Sequence, residues 1–228
     1  MSVSKRFKSV AVSVLLMGAS VANAASIDMA DWIFYVDGTV HEAYFGDTMP
    51  TTGTLVDGLG TLSMEVTGTG SHNVIAFFDF EIDQFTNGFT NEWGAAVGTP
   101  ELGQIWEIDE PKYFRGDILD NVLAGILDSS NEVAENNIDD VGFALGWEFD
   151  LLADQTANID FILSDLLPAE DFYLTQYDPA SDASLFFSSV LNITGGTPTG
   201  QIPEPDPFVL ALLGGLALLG ARKTKKSK

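Results

Sequence analysis

The 228-residue chain carries 33 Asp and Glu against 10 Lys and Arg, for a formal net charge of −23, and it has no cysteine. That balance disfavours nucleic acid and anionic lipid as partners, because like charges would have to meet across a short screening length. The missing thiols exclude disulfide staples, thiol catalysis and cysteine-ligated zinc, so a fold here is held by its core, with or without a bound ion.

The chain opens with Lys5, Arg6 and Lys8 around the start of an apolar stretch, Val10 to Val21, that ends in Ala22-Asn23-Ala24. A charged n-region, a short apolar h-region and small residues at the positions a signal peptidase reads, Ala22 and Ala24, predict a removable signal peptide over 1–24. The stretch falls short of the about 20 apolar residues a spanning helix needs. Val12, Val14, Leu15, Leu16 and Met17 leave no polar face for an amphipathic helix. Beyond it, Lys112 and Arg115 are the only basic residues up to Gly200, against 31 acidic ones, so the exported part has a net charge near −29.

Residues 25–194 have the size of one domain and enough apolar and aromatic side chains for a two-layer core. Phe78-Asp79-Phe80-Glu81-Ile82-Asp83 alternates with period two, which predicts a half-buried strand with its carboxylates on the other face. Leu145-Gly146-Trp147-Glu148-Phe149-Asp150-Leu151 repeats the pattern, and Ile105-Trp106-Glu107-Ile108-Asp109 follows it in part. Ile159 to Leu163 and Leu185 to Leu191 predict more deeply buried strands. Asp37-Gly38, Asp57-Gly58, Asn87-Gly88 and Asn192 to Gly196 supply turn chemistry between strands. The pattern predicts an all-β domain, an antiparallel β-sandwich of jelly-roll type. Ile118 to Leu127 has apolar residues at helical spacing yet contains Gly125 and β-branched residues, so it fits either a short helix or a strand.

Oxygen ligands are abundant. Asp79, Glu81 and Asp83 share a strand face that the alternation turns toward water, whereas Asp139-Asp140, Asp109-Glu110 and Asp117-Asp120-Asn121 cluster in turns, where loop carboxylates can converge on one ion. A structural calcium is therefore sought around Asp117, Asp120, Asn121 and Asp128, although no segment matches an EF-hand loop or a nonapeptide calcium repeat. His41 and His72 are far apart and give no zinc or Ser-His-Asp pattern. Acidic residues are so numerous that choosing a glycosidase pair among them is arbitrary, and no catalytic residue is assigned. Trp93, in the loop-like stretch Thr86 to Gly98, is the candidate sugar-stacking residue. Trp147 alternates in phase with Leu145 and Phe149 and is expected in the core. Asn192-Ile193-Thr194 fits a glycosylation sequon and reads as a turn.

Residues 195–201 form a Gly/Thr/Pro linker. It leads to Ile202-Pro203-Glu204-Pro205, an apolar segment from Phe208 to Ala221, and a basic stop of Arg222, Lys223, Lys225 and Lys226. Fourteen positions at about 1.5 Å each reach about 21 Å, short of a hydrocarbon core of about 30 Å, which suits temporary residence in a membrane. The cations keep this end cytoplasmic and place the domain outside, in agreement with the N-terminal signal.

Over 202–228 the order of Pro203-Glu204-Pro205, a Leu/Gly/Ala-rich helix and a basic tail resembles the PEP-CTERM sorting signal of Gram-negative bacteria. Asp206-Pro207 departs from the small polar residues common after that motif. The resemblance implies recognition by an exosortase, a membrane-embedded cysteine protease or transpeptidase, with Pro203, Glu204 and Pro205 as substrate residues. It also implies transient inner-membrane association through the C-terminal helix and a destination at the cell surface, outer envelope or extracellular matrix. The expected role is a non-catalytic surface or matrix protein associated with exopolysaccharide or biofilm. A secreted carbohydrate-binding module is the alternative, and an extracellular hydrolase comes third.

Overall fold

The five predicted stretches are among eleven strands in a computed structural model that describes residues 25–111 and 116–196. The expected processing residues Ala22, Ala24, Pro203, Glu204 and Pro205 and the basic stop Arg222, Lys223, Lys225 and Lys226 lie outside the described residues. In chain order the strands are β1 (Ile27–Val36), β2 (Thr39–Glu42), β3 (Thr52–Val56), β4 (Leu59–Thr67), β5 (Gly70–Ile82) and β6 (Trp93–Val97). They continue with β7 (Gln104–Asp109), β8 (Gly142–Leu151), β9 (Gln155–Ser164), β10 (Tyr173–Asp178) and β11 (Ala183–Gly195). One sheet has the order β2-β1-β5-β8-β7 and the other β3-β4-β9-β11-β10-β6, with antiparallel pairing throughout. The two sheets pack as a sandwich with no closed barrel. Strands β4 to β7 alternate between the sheets, the kind of crossing a jelly roll uses.

Local turn chemistry fixes the first hairpins. Asp37-Gly38 and Asp57-Gly58 each hold both residues at positive φ (48° and 87°; 51° and 77°), the two-residue geometry whose twist suits the flanking strands. Asn87-Gly88 instead closes the single helical turn α1 (Gln84–Asn87). The turn expected at Asn192 to Gly196 is mostly strand: Asn192, Ile193 and Thr194 pair with Asn158, Ala157 and Thr156 of β9. A full row of backbone partners on β9 outweighs the local turn preference there.

Along β5 the even residues Val74, Ala76, Phe78, Phe80 and Ile82 enter the core between the sheets. Phe34 meets Phe161 edge-on at 5.9 Å, and Phe78 meets Phe187 at 5.2 Å. Truncating such a buried ring to Ala costs about 3–5 kcal/mol. Trp147 is buried with Leu145 and Leu151, and its indole N–H donates to Ser189 Oγ at 3.0 Å. The odd residues Ile75 and Phe77 face the other way, outward from the sandwich. They are covered too, because the ambiguous stretch is a helix, α2 (Ile118–Ala124), which lays Ile118 and Val122 over Ile33, Ile75, Phe77 and Ala144. Gly125 ends α2 at φ 72°, where an added Cβ would stand 2.4 Å from Tyr35 Cζ. The five-stranded sheet is thus covered on both faces over part of its area.

Candidate functional site

The covered outer face continues past the small α2 core as carboxylate. Asp79 and Glu81 follow Ile75 and Phe77 at the same parity on β5, and Asp31 of β1 stands opposite Asp79. Asp140 precedes β8 by two residues, where the β5–β8 register extends toward Glu81. One oxygen from each of Asp79, Glu81 and Asp140 lies within 4.8 Å of the others. The three residues are only 7%, 6% and 4% exposed. Asp79 Oδ1, Glu81 Oε2 and Asp140 Oδ1 have no hydrogen-bond partner among the described residues. All three line a cavity of about 920 Å³ whose walls include Asp31, Tyr44, Phe89 and Pro111.

Burial, reinforced by the charges of Asp140 and Glu81, pushes the Asp79 carboxyl up to about 8. Burial and the Glu81 charge push Asp140 up to about 7, and burial raises Glu81. No Lys or Arg occurs among the described residues to offset these charges. The expectation that Asp79 and Glu81 face water is therefore corrected. Alternation specifies two faces but not what covers them, and here α2 and the loops around Tyr44, Phe89 and Pro111 fold over the second one. The run Val74-Ile75-Ala76-Phe77-Phe78, apolar at both parities, is the sequence signal of a strand covered on both sides. Asp83 leaves the group: it turns away at φ 54° and accepts the Ser26 backbone N–H at 2.7 Å.

A second acidic group lies across Gly142 on β7, where Asp109 pairs with Gly142 and Glu107 with Ala144. Glu107 has no exposed surface and accepts Asn121 Nδ2–H on Oε1 at 3.0 Å and the Asp128 backbone N–H on Oε2 at 3.2 Å. Asp109 accepts the backbone N–H groups of Glu110 and Asp117, each at 2.7 Å. Burial raises both carboxyls, Glu107 to about 7. Of the residues expected around a calcium, Asp117, Asn121 and Asp128 do come together here. They gather on Glu107, which the strand pattern did not single out, and on Asp109, expected in a turn with Glu110 and found at the end of β7. Asp120 sits on the exposed side of the first turn of α2, outside the group. The buried oxygens of this second group are satisfied by N–H donors, unlike those of the first.

The outer face of the six-stranded sheet carries aromatics. Trp93 on the edge strand β6 pairs with Tyr177 on β10, their ring centres 5.3 Å apart. Tyr173 of β10 and Phe186 of β11 share that face and meet edge-on at 5.7 Å. All four are half-buried, and Trp93 belongs to a strand rather than a loop. His41 lies on the edge strand β2, while His72 Nδ1 is 2.7 Å from Asp37 Oδ2 and its ring stacks on Phe149. Neither joins a cluster of metal-ligating side chains among the described residues. Among those residues no helix is long and apolar enough to cross a membrane. No protein-family model, curated protein or solved structure matches the chain.

Proposed function

We propose that the chain is an exported, non-catalytic surface or matrix protein, cut by signal peptidase after Ala24 and sorted by an exosortase at Pro203-Glu204-Pro205. Its sandwich then associates with exopolysaccharide or biofilm outside the cell. The observation that carries this reading is the order of features in the tail: proline motif, apolar segment, basic stop. The fold supports it by position, since β1 starts at Ile27 and β11 ends at Gly195, so the sandwich closes between the two processing points. Intact mass and fractionation of the protein from its native cells test it, beside a variant with Pro203, Glu204 and Pro205 replaced by Ala. The parent is expected to start at Ala25 and lack the apolar segment, with the variant retained in the membrane. Retention of Arg222 to Lys228 in both proteins would make the tail a permanent anchor and end the sorting assignment.

The aromatic face favours a second reading, a secreted carbohydrate-binding module. Half-buried rings gather on adjacent strands of one face, as aromatics do where sugar rings stack, with Trp93 and Tyr177 in contact at its edge strand. Replacing both with Ala is expected to weaken retention on polysaccharide at least about ten-fold while leaving the fold intact, since neither ring belongs to the inter-sheet core. Glycan arrays with no saccharide bound by the parent would dismiss this reading.

A further inference from the structure

We propose that Asp79, Glu81 and Asp140 bind a calcium ion in the cavity on the outer face of the five-stranded sheet, with water completing the oxygen shell. Three carboxylates have been removed from water at one point, and each keeps a buried oxygen that no described donor reaches. Desolvated acceptors of like charge are costly unless a cation or a set of donors meets them. The neighbouring Glu107 and Asp109 show the other solution, with backbone and amide N–H groups on their oxygens. No such donors meet the orphaned oxygens of the first group, and Asp31 on the cavity wall adds a fourth carboxylate.

The chemistry of the donors selects the ion. Every ligand is a carboxylate oxygen, which suits a hard cation, and no sulfur or imidazole is present to favour zinc or copper. Calcium bonds of about 2.3–2.6 Å let two oxygens on one ion stand up to about 5 Å apart, and the three oxygens lie within 4.8 Å of one another. Magnesium keeps several waters and is usually held by only one or two carboxylates, so a cluster of three favours calcium. The cavity opens beside the group and supplies both a route for the ion and room for its remaining waters.

The test uses the full chain, purified in mild detergent and stripped with chelator, beside Asp79→Asn/Asp140→Asn and, as a control, Asp117→Asn/Asp128→Asn. At constant ionic strength calcium is expected to give one saturable isotherm with the parent. It should raise the melting temperature by about 5–10 °C at a hundred-fold excess over Kd. The Asp79/Asp140 variant is expected to bind at least about ten-fold more weakly, and the control to match the parent. The amide variants keep the side-chain shape and remove repulsion; Glu81→Gln is titrated in the same way should the paired variant fail to fold. Absence of a saturable isotherm in the parent, an equal response to magnesium, or weaker binding confined to the Asp117/Asp128 control would overturn the assignment.

Discussion

Glu92 has no exposed surface and ties the two sheets together: the Ile82 N–H donates to its Oε1 at 2.9 Å, and Gln176 of β10 donates to its Oε2. Gln176 Nε2 also reaches the Phe80 carbonyl, so one amide spans both layers. Burial pushes the Glu92 carboxyl up to about 8 against those donors, with the charges of Glu81 and Asp140 adding to the rise. A carboxyl that stays protonated in the fold while the unfolded chain ionises contributes stability that is complete below the ordinary carboxylate range. That contribution is lost as pH rises through about 8, by up to about 1.4 kcal/mol per pH unit. The metal-free protein is therefore expected to melt progressively lower from pH 5 to pH 8, and Glu92→Gln to lose less over the same interval. Scanning calorimetry in chelator measures both slopes; parallel slopes would remove Glu92 as a source of the trend.

Among the elements, α2 is the one whose existence depends most on its surroundings. Seven residues are too few for a helix to persist alone, so its stability comes from Ile118 and Val122 on the outer face and from the cap at Gly125. Ile118→Ala is expected to cost about 2–5 kcal/mol in chemical denaturation. Gly125→Ala should cost more than about 1 kcal/mol, since a Cβ there meets both a left-handed backbone and the Tyr35 ring. A stability change within error for Gly125→Ala would mean that the Tyr35 contact yields without cost. Of the eleven strands only β5, β7, β8, β9 and β11, with the two Asp-Gly turns, were legible in the sequence, because their signals are local: period-two alternation or a continuous apolar run, and a dipeptide that tolerates positive φ twice. The second core was not, because it requires a helix some forty residues downstream to fold back over Ile75 and Phe77. Asp79 and Glu81 were misplaced for the same reason; Asp140 was read only as part of an acidic turn and Glu107 not as a site residue, because register across β8, rather than spacing along the chain, brings the carboxylates together.

At the scale of the whole molecule, the two halves of the chain are interleaved. The strands before Lys112 are β1 to β7 and those after Arg115 are β8 to β11. In the five-stranded sheet β8 lies between β5 and β7, and in the six-stranded sheet β9, β11 and β10 lie between β4 and β6. Each half is therefore gripped by the other in both layers. Lys112 and Arg115 are also the only basic residues between Ala25 and Gly200. A trypsin-like protease accordingly finds its cleavable bonds within one short interval of the domain, and a cut there divides the covalent chain without dividing either sheet. Trypsin-treated protein is expected to elute from a sizing column as one species and to show two fragments only after denaturation; separation in native buffer would contradict the interleaving. Toward proteases that cut after Lys or Arg, this combination makes the domain hard to digest in two ways: few bonds can be cut, and cutting them releases nothing.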